Sequence, residues 1–229
     1  MRLCALVVAC WPALAGAQSI DAARYAEPTT RYDHGVLGDS VEWGALELDV
    51  ASRTITLRLP ETRVFEDTAP RLFGMDGDGT FEVIVVETDM ARGARLSIYG
   101  GDGVLVAATP YIGRTHRWLA PIGAADLDGD GRVEVAYIDR PHLARTLKVW
   151  RFEDGALTLV TEASGLTNHR VGESDIGGGL RDCDSVIEMI TVNADWTRVI
   201  ATRLADGALT SRDVGPHRGR ADLAAALRC

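Results

Sequence analysis

A repeat of about 52 residues is the feature of this sequence that most constrains its fold. An Asp-Gly pair recurs at intervals of 52 residues, at Asp102-Gly103, Asp154-Gly155 and Asp206-Gly207. An Asp-Gly-Asp-Gly motif at residues 76–79 returns, again 52 residues later, at residues 128–131. Self-similarity at such a period is typical of repeat architectures, in which each copy forms one supersecondary unit that packs against its neighbours.

Short apolar runs within each period predict β-strands, because they are rich in β-branched residues and bounded by turn residues. Four strands are predicted per period: one before the acidic motif (71–73, 118–124 and 171–176), one after it (81–86, 133–138 and 186–192), a next strand (95–99, 147–152 and 199–204) and a returning strand (104–107, 157–160 and 209–211). The Asp-Gly pairs precede the returning strands and predict tight hairpins, in which both central residues adopt positive φ.

Four antiparallel strands in about 52 residues is the size of a propeller blade. We therefore predict an all-β fold, a small β-propeller of about four four-stranded blades, with an incomplete propeller as the alternative. The expected divisions are a signal peptide at 1–17, repeats at about 18–64, 65–116, 117–168 and 169–214, and a tail at 215–229 with a short helix. The first repeat lacks the acidic motif, but runs at 43–48 and 54–59 predict a hairpin.

Residues 126–134 carry a regular set of acidic side chains. Carboxylates stand at loop positions 1, 3, 5 and 9, and a glycine at position 6 permits a tight turn. Calcium takes six to eight oxygen ligands, which alternating carboxylates on a turned loop deliver inward. The sequence therefore predicts a calcium site, with ligands from Asp126, Asp128, Asp130, the Arg132 carbonyl and Glu134. The alternative is a solvated acidic turn that binds nothing.

Two further copies of the loop are less complete. In the copy at 74–82, Gly74 replaces the first carboxylate. This copy predicts a weaker second site, with ligands from Asp76, Asp78, Thr80 and Glu82. The third copy has an apolar first position and keeps Asp182, Asp184 and Glu188, with Cys183 inside the loop. We expect the third copy to have exchanged metal binding for a disulfide.

The N-terminal residues and the cysteines predict export. An apolar stretch from residue 3 to residue 14 is followed by Ala15-Gly16-Ala17, the small residues of a signal-peptidase site, so the mature chain is expected to start at Gln18. An uncleaved anchor is the alternative. Cleavage leaves Cys183 and Cys229, which in an exported protein predict a disulfide. The expected location is periplasmic or secreted.

The charge of the chain argues against two classes of partner. The formal net charge is −9 at pH 7, and no run of basic residues occurs. Nucleic acids and anionic membrane surfaces attract basic patches, so neither is an expected partner. Beyond the short N-terminal stretch, no segment approaches the roughly 20 apolar residues of a membrane span.

The acidic loop and the apolar strand after it resemble the FG-GAP/VCBS repeat, the blade of integrin-α-like β-propellers. The signature of that family, D-x-D-x-D-G-x-x-D/E before an apolar strand, is matched closely by 126–138, partly by 76–82 and in eroded form by 182–188. The resemblance covers about residues 65–214 and implies a calcium-binding propeller. Integrin-like propellers have seven blades, more than this chain can supply. The whole chain also looks like small exported repeat proteins of proteobacteria.

No catalytic motif stands out in the sequence. There is no G-x-S-x-G, no H-E-x-x-H and no glycine loop ending in Lys-Ser/Thr. The histidines are scattered without a pair at ligand spacing, at His34, His116, His142, His169 and His217. We therefore predict that the chain is not an enzyme.

Two short segments recur about one period apart and suggest a shared ligand surface. Its residues are His116, Arg117, Trp118, His169 and Arg170. The alternative is that they pack between blades. Three functions remain: a calcium-stabilised module that binds a protein or glycan, which we prefer; a hydrolase on a propeller scaffold; and a structural subunit of a larger assembly.

Overall fold

The structure is a computed structural model and describes residues 18–229. The predicted signal peptide at 1–17 lies outside these residues. The described part is all-β, as the sequence predicted, with four consecutive strand modules in a propeller-like arrangement. Within residues 18–229 the helix content is one segment of 7 residues, too short to cross a membrane.

Module 1 is a three-stranded antiparallel sheet in the order β1-β2-β3. Its strands are β1 (Ala22–Thr29), β2 (Glu42–Val50) and β3 (Arg53–Arg58). The hairpin expected from 43–48 and 54–59 is formed by β2 and β3. Strand β1 was not predicted separately from the sequence; its residues alternate between exposed and half-buried, and it pairs with the other edge of β2.

Module 2 has four strand positions, of which the first is divided in two. Its strands are β4 (Arg63–Phe65), β5 (Arg71–Phe73), β6 (Glu82–Asp89), β7 (Gly93–Tyr99) and β8 (Leu105–Ala108). Both β4 and β5 pair with the same edge of β6, one after the other. A single pair between Trp43 and Phe65 joins β2 to β4, so modules 1 and 2 share one eight-stranded sheet.

Module 3 is a separate four-stranded sheet in the order β12-β11-β10-β9. Its strands are β9 (Leu119–Ala125), β10 (Glu134–Asp139), β11 (Thr146–Glu153) and β12 (Ala156–Ser164). Every residue of β10 is buried, because neighbouring modules cover both faces of the sheet. This explains why its interior, residues 135–138, is a continuous apolar run without polar alternation.

Module 4 completes the series and carries the helix. Its elements are β13 (Leu166–Thr167), β14 (Gly179–Cys183), β15 (Val186–Asn193), β16 (Arg198–Ala205), β17 (Ala208–Pro216) and α1 (Arg220–Ala226). The strand predicted at 171–176 is wrong, since these residues form a loop and the strand begins at Gly179. A Cβ at Gly178, whose φ is 73°, would lie 2.0 Å from the Ile190 carbonyl oxygen, so this close approach requires glycine.

Two of the three Asp-Gly pairs form the tight hairpins that the sequence predicted. Asp154 and Gly155 have φ values of 49° and 72°, and Asp206 and Gly207 have values of 52° and 71°. The Asp102-Gly103 turn is wider. It runs from Gly100 to Val104, whose backbone groups are hydrogen-bonded at 3.0 Å, because β7 already ends at Tyr99.

The outward faces of the first and last modules are covered by different means. On module 1, Arg24 pairs with Glu47 and Asp49, each at 2.7 Å, which leaves a charged, solvated face. On module 4, α1 lies over the sheet and buries Leu223 against β15 and β16. The loops of these two modules meet where Gly172 N–H donates to the Val36 carbonyl at 3.0 Å. The modules therefore form an arc whose ends meet through loops.

Candidate metal centre

The two acidic loops occupy equivalent junctions, between β5 and β6 and between β9 and β10, and share one hydrogen-bonded frame. Met75 N–H donates to Glu82 Oε2 at 2.9 Å, and 52 residues later Leu127 N–H donates to Glu134 Oε2 at the same distance. The Met75 and Leu127 side chains are buried and fix the start of each loop in the core. The sequence repeat is therefore a repeat of loop geometry.

Each loop brings three carboxylates together. Oxygen atoms of Asp76, Asp78 and Glu82 lie within 4.8 Å of one another, and so do those of Asp126, Asp128 and Asp130. Calcium–oxygen distances are about 2.3–2.6 Å, so ligands on opposite sides of one ion stand roughly 5 Å apart. Both sets thus have the spread that a calcium ion requires.

Asp126 organises the backbone of its loop. Its Oδ1 accepts hydrogen bonds from Gly129 N–H at 2.8 Å and Asp130 N–H at 3.0 Å, and its Oδ2 accepts one from Gly131 N–H at 2.9 Å. The chain can turn this tightly because Gly131 has a φ of 87°. A carboxylate oxygen has two lone-pair directions, so these bonds leave Asp126 able to bind a cation.

Arg151 on β11 places a guanidinium among the carboxylates of the 126–134 loop. It lies 2.6 Å from Glu134 Oε1, 2.7 Å from Asp128 Oδ2 and 3.1 Å from Asp130 Oδ2. Burial alone would lower the pKa of Arg151, but its hydrogen bonds to Glu134 and Asp128 raise it. The loop therefore carries an internal cation that competes with a metal for the same oxygens.

One oxygen of this loop is left without a partner. Asp128 Oδ1 is buried and forms no hydrogen bond with the described residues. A buried acceptor of this kind costs free energy unless water or a cation satisfies it. The loop has four carboxylates against two guanidiniums, those of Arg151 and Arg132, so a net negative charge remains for a metal to neutralise.

The 76–82 loop has no arginine among its described contacts. In module 3, Arg151 is the strand partner of Glu134. The corresponding position opposite Glu82 is Gly100, because Val83 pairs with Tyr99. Burial raises the pKa of Glu82, and the charges of Asp76 and Asp78 raise it further. The Thr80 hydroxyl donates to Asp78 Oδ1 at 2.7 Å. This loop, which the sequence ranked second, therefore has no internal cation among its described contacts to offset its negative charge.

The third copy of the loop has become a tight hairpin. Asp182 lies within β14 and pairs with Ile187, and the turn consists of Asp184 and Ser185, with φ values of 56° and 65°. Although burial raises the pKa of Glu188, hydrogen bonds from Arg212 and Arg181 lower it below its usual value. The predicted Cys183–Cys229 disulfide is present and ties this hairpin to the end of the chain.

These observations test whether calcium fits the chain. The residues of both loops fit calcium, because each loop has three converging carboxylates. The 126–134 loop also has a buried Asp128 oxygen without a hydrogen bond, and the 76–82 loop has no arginine among its described contacts to offset the charge around Glu82. Asp126, Asp128 and Asp130 would hold one ion, and Asp76, Asp78 and Glu82 another. Glu134, the fourth carboxylate of the predicted site, accepts from Arg151 through Oε1 and from the Leu127 N–H through Oε2.

The residues of the predicted ligand surface do not share one surface. Trp118 is 2% exposed and His169 is 1% exposed, so neither lines a surface, and this part of the prediction is wrong. Both pack between modules, where the Trp118 indole donates to the Glu66 carbonyl at 2.8 Å. His116 and Arg170 are exposed and Arg117 is half-buried.

The structure brings together four histidines that are scattered in the sequence. His34 stacks on His116 with ring centroids 4.8 Å apart, and His142 Nε2 lies 2.9 Å from His169 Nδ1. Trp118 lies between the two pairs in sequence and contacts the rings of His142 and His169. We call His34, His116, His142 and His169 the histidine cluster. Only the spacing of His116 and His169 hinted at it.

The histidine cluster lies where the modules meet, at the end of the strands opposite the acidic loops. His116 precedes β9 and His142 follows β10, whereas the 126–134 loop joins the other ends of these strands. His169 Nε2 lies 2.9 Å from the Glu173 carbonyl and must donate to it, so in a neutral ring Nδ1 accepts from His142. Burial lowers the pKa of His142 to about 4, and it lowers the pKa of His169 as well.

Comparisons with known proteins agree with the repeat. Residues 75–137 match the FG-GAP-like repeat, a segment that contains both acidic loops. A comparison with curated protein sequences finds no match. Among solved structures, rhamnogalacturonan lyase PL11 of Bacillus licheniformis is similar, with a TM-score of 0.44 and 14% sequence identity; the similarity covers 74% of this chain and 42% of the lyase chain. The chain thus spans less than half the length of that structure.

Proposed function

We propose that this chain is an exported calcium-binding repeat protein whose modules bind a protein or glycan partner. The observation that carries the proposal is the pair of acidic loops at equivalent strand junctions, each with three carboxylates within 4.8 Å of one another. The FG-GAP-like match over residues 75–137 supports it, since the resemblance implies calcium in these loops.

Calcium serves the protein as a structural clamp in this proposal. An ion bound by Asp126, Asp128 and Asp130 offsets their mutual repulsion and fixes the junction between β9 and β10. An ion bound by Asp76, Asp78 and Glu82 does the same between β5 and β6. Because both junctions lie at one end of the strands, the opposite end, with the inter-module loops, is left for the partner.

A binding role fits the buried polar groups better than a catalytic role. His34 Nδ1 contacts the Glu66 carboxylate, which is the kind of pair that a hydrolase uses for proton transfer. Glu66 is 2% exposed, however, and its other oxygen accepts from Thr88 Oγ1 at 2.7 Å. A carboxylate held in this way supports the packing of modules 1 and 2.

Export is part of the proposal and rests on the N-terminal sequence and on the disulfide. A Cys183–Cys229 bridge persists in an oxidising compartment, such as the periplasm or the extracellular medium. Mass spectrometry of protein recovered from these fractions should show a chain that begins at Gln18. Recovery of the full-length chain from the cytoplasm would contradict export.

The test of function is partner capture with and without calcium. The mature protein should capture a protein or glycan from an extracellular extract or a glycan array in calcium, and lose it with chelator. A variant with Asp76→Asn, Asp78→Asn, Asp126→Asn and Asp128→Asn should lose capture. The matched control, Asp102→Asn with Asp154→Asn, alters turn carboxylates outside the loops and should retain it.

A parallel hydrolase panel separates binding from catalysis. The proposal expects no turnover by the wild-type chain under conditions in which it captures its partner. Calcium-dependent hydrolysis without stable capture would instead support an enzyme on a propeller scaffold. A structural subunit is disfavoured because the outer face of module 1 is charged and solvated and α1 covers the outer face of module 4.

A further inference from the structure

A small cavity lies between the 168–177 loop, the turn after β15 and the segment that leads into α1. Its volume is about 50 Å³, and its lining includes Asn168, Arg170, Glu173, Trp196, His217 and Arg220. We call it the Arg170 pocket. A single water needs about 10–15 Å³ on this scale, so the pocket has room for several waters or one small polar group. A whole sugar ring does not fit.

Arg170 presents a positioned guanidinium to this pocket. Its Cζ lies 4.3 Å from the centre of the Trp196 ring, a stacking contact that fixes the guanidinium plane. Among the described residues this guanidinium forms no salt bridge, and Arg170 bonds through its backbone N–H to Glu173 Oε2 at 3.4 Å. The other arginine of the pocket, Arg220, is already paired with Glu173 at 3.2 Å and with Asp175.

One acceptor in the pocket lacks a donor among the described residues. Asn168 also lines the pocket, but it is 1% exposed; its Nδ2 donates to the Pro121 carbonyl at 3.2 Å, and its Oδ1 is too deeply buried for a ligand to reach. His217 Nδ1 lies 3.0 Å from the Trp196 carbonyl and must donate to it, so Nε2 of the neutral ring is an acceptor. The pocket therefore offers one cationic fork and one group, His217 Nε2, that needs a hydrogen-bond donor.

We propose that the Arg170 pocket binds the carboxylate of an acidic sugar residue, a uronic acid, with the sugar ring at the mouth of the pocket. A planar carboxylate pairs with the guanidinium through two hydrogen bonds. The ring hydroxyl group next to the carboxylate donates to His217 Nε2. A neutral sugar lacks the charge that pairs with Arg170. The inference rests on the proposed glycan binding and specifies its ligand.

Titration of the full mature chain tests the chemistry of the ligand. D-glucuronate and a glucuronate oligosaccharide should bind, as followed by calorimetry and by the indole N–H resonance of Trp196. D-glucose, the neutral counterpart of D-glucuronate, should not bind. Equal binding of glucose, of inorganic phosphate or of an acidic peptide would overturn the assignment.

Substitutions test the residue that recognises the carboxylate. Arg170→Gln should weaken glucuronate binding at least about tenfold, and Arg170→Lys should weaken it less, because the ammonium keeps the charge without the planar fork. Arg117→Gln, the equivalent change one repeat earlier, is the control and should bind like wild type. Thermal melting identifies any variant that fails to fold. If Arg170→Gln does not fold, Arg170→Lys alone provides the test.

The outcomes separate this inference from the proposed function. If other partners are captured in calcium while glucuronate does not bind, the pocket assignment fails and the binding module stands. If glucuronate binds equally to wild type and Arg170→Gln, the pocket assignment also fails. If no protein or glycan binds the wild type at all, the proposed function fails with it.

Discussion

At the scale of single residues, the acidic loops differ in whether neighbouring strands place an arginine against the glutamate that ends the loop. Glu134 has Arg151 as its cationic partner, Glu188 has Arg181 and Arg212, and Glu82 has none among its described contacts. The carboxylate spacing of the loops was readable from the sequence. Arg151 was not, because only the register of β10 against β11 places it opposite Glu134, 17 residues away along the chain.

Removing the internal cation should strengthen calcium binding at the 126–134 loop. In Arg151→Gln, Asp128 and Asp130 lose their competing guanidinium, and we expect calcium affinity at this loop to rise roughly tenfold or more, which corresponds to about 1.4 kcal/mol. Calorimetric titration measures the change. Arg198→Gln removes an exposed arginine paired with Asp213 and is the control. Unchanged or weaker binding in Arg151→Gln would show that Arg151 does not compete with calcium.

At the scale of elements, the third acidic loop shows how a repeat changes its chemistry while it keeps its strand pattern. The β14–β15 hairpin exchanges a metal loop for a two-residue turn, two arginines and the disulfide. The sequence predicted the disulfide, because only two cysteines follow the predicted signal peptide. It misplaced the first strand of this hairpin at 171–176, because the repeat period places it there, whereas the chain forms a loop up to Gly178 and β14 begins at Gly179.

The disulfide should hold α1 on module 4. It closes a segment of 46 residues, for which chain entropy gives a stabilisation of about 4 kcal/mol. In Cys183→Ser with Cys229→Ser, we expect hydrogen exchange to rise across α1 and the β14–β15 hairpin, while β10 in module 3 stays protected. Hydrogen exchange with mass spectrometry tests this. Arg181 also donates to the Ala226 carbonyl of α1 at 2.8 Å, so equal exchange of α1 in both proteins would show that Leu223 and Arg181 suffice to hold it.

At the scale of the whole molecule, the modules meet around the histidine cluster, which connects residues from all four. The sequence predicted the all-β repeat because its period and strand patterns are local. It could not predict this junction, since His34, His116, His142 and His169 come from loops far apart in the chain. The charged and titratable groups that face His142 are His169, His34 and Arg145, and those that face His169 include Glu173 and Arg220.

The histidine cluster should make the stability of the fold sensitive to acid. The pKa of His142 falls from 6.5 to about 4 on folding, so the unfolded chain binds more protons between these values and stability decreases as pH falls through this range. We expect a loss on the order of 1–2 kcal/mol between pH 7 and pH 5. His142→Gln should reduce this slope, and His217→Gln, outside the cluster, should not. Equal slopes in denaturant melts of all three proteins would contradict the role of His142.

The most direct test of the central claim, that the acidic loops bind calcium, is thermal melting of the mature protein in calcium and in chelator. At a calcium concentration about 100 times the Kd, one site contributes about 2.7 kcal/mol, which raises Tm by roughly 5–10 °C in a chain of this size. Asp76→Asn with Asp78→Asn, and Asp126→Asn with Asp128→Asn, should each lose part of this increase, and the combined variant should lose all of it. Asp102→Asn with Asp154→Asn should retain it. If wild type and all variants melt at the same temperature with calcium as with chelator, the loops do not bind calcium.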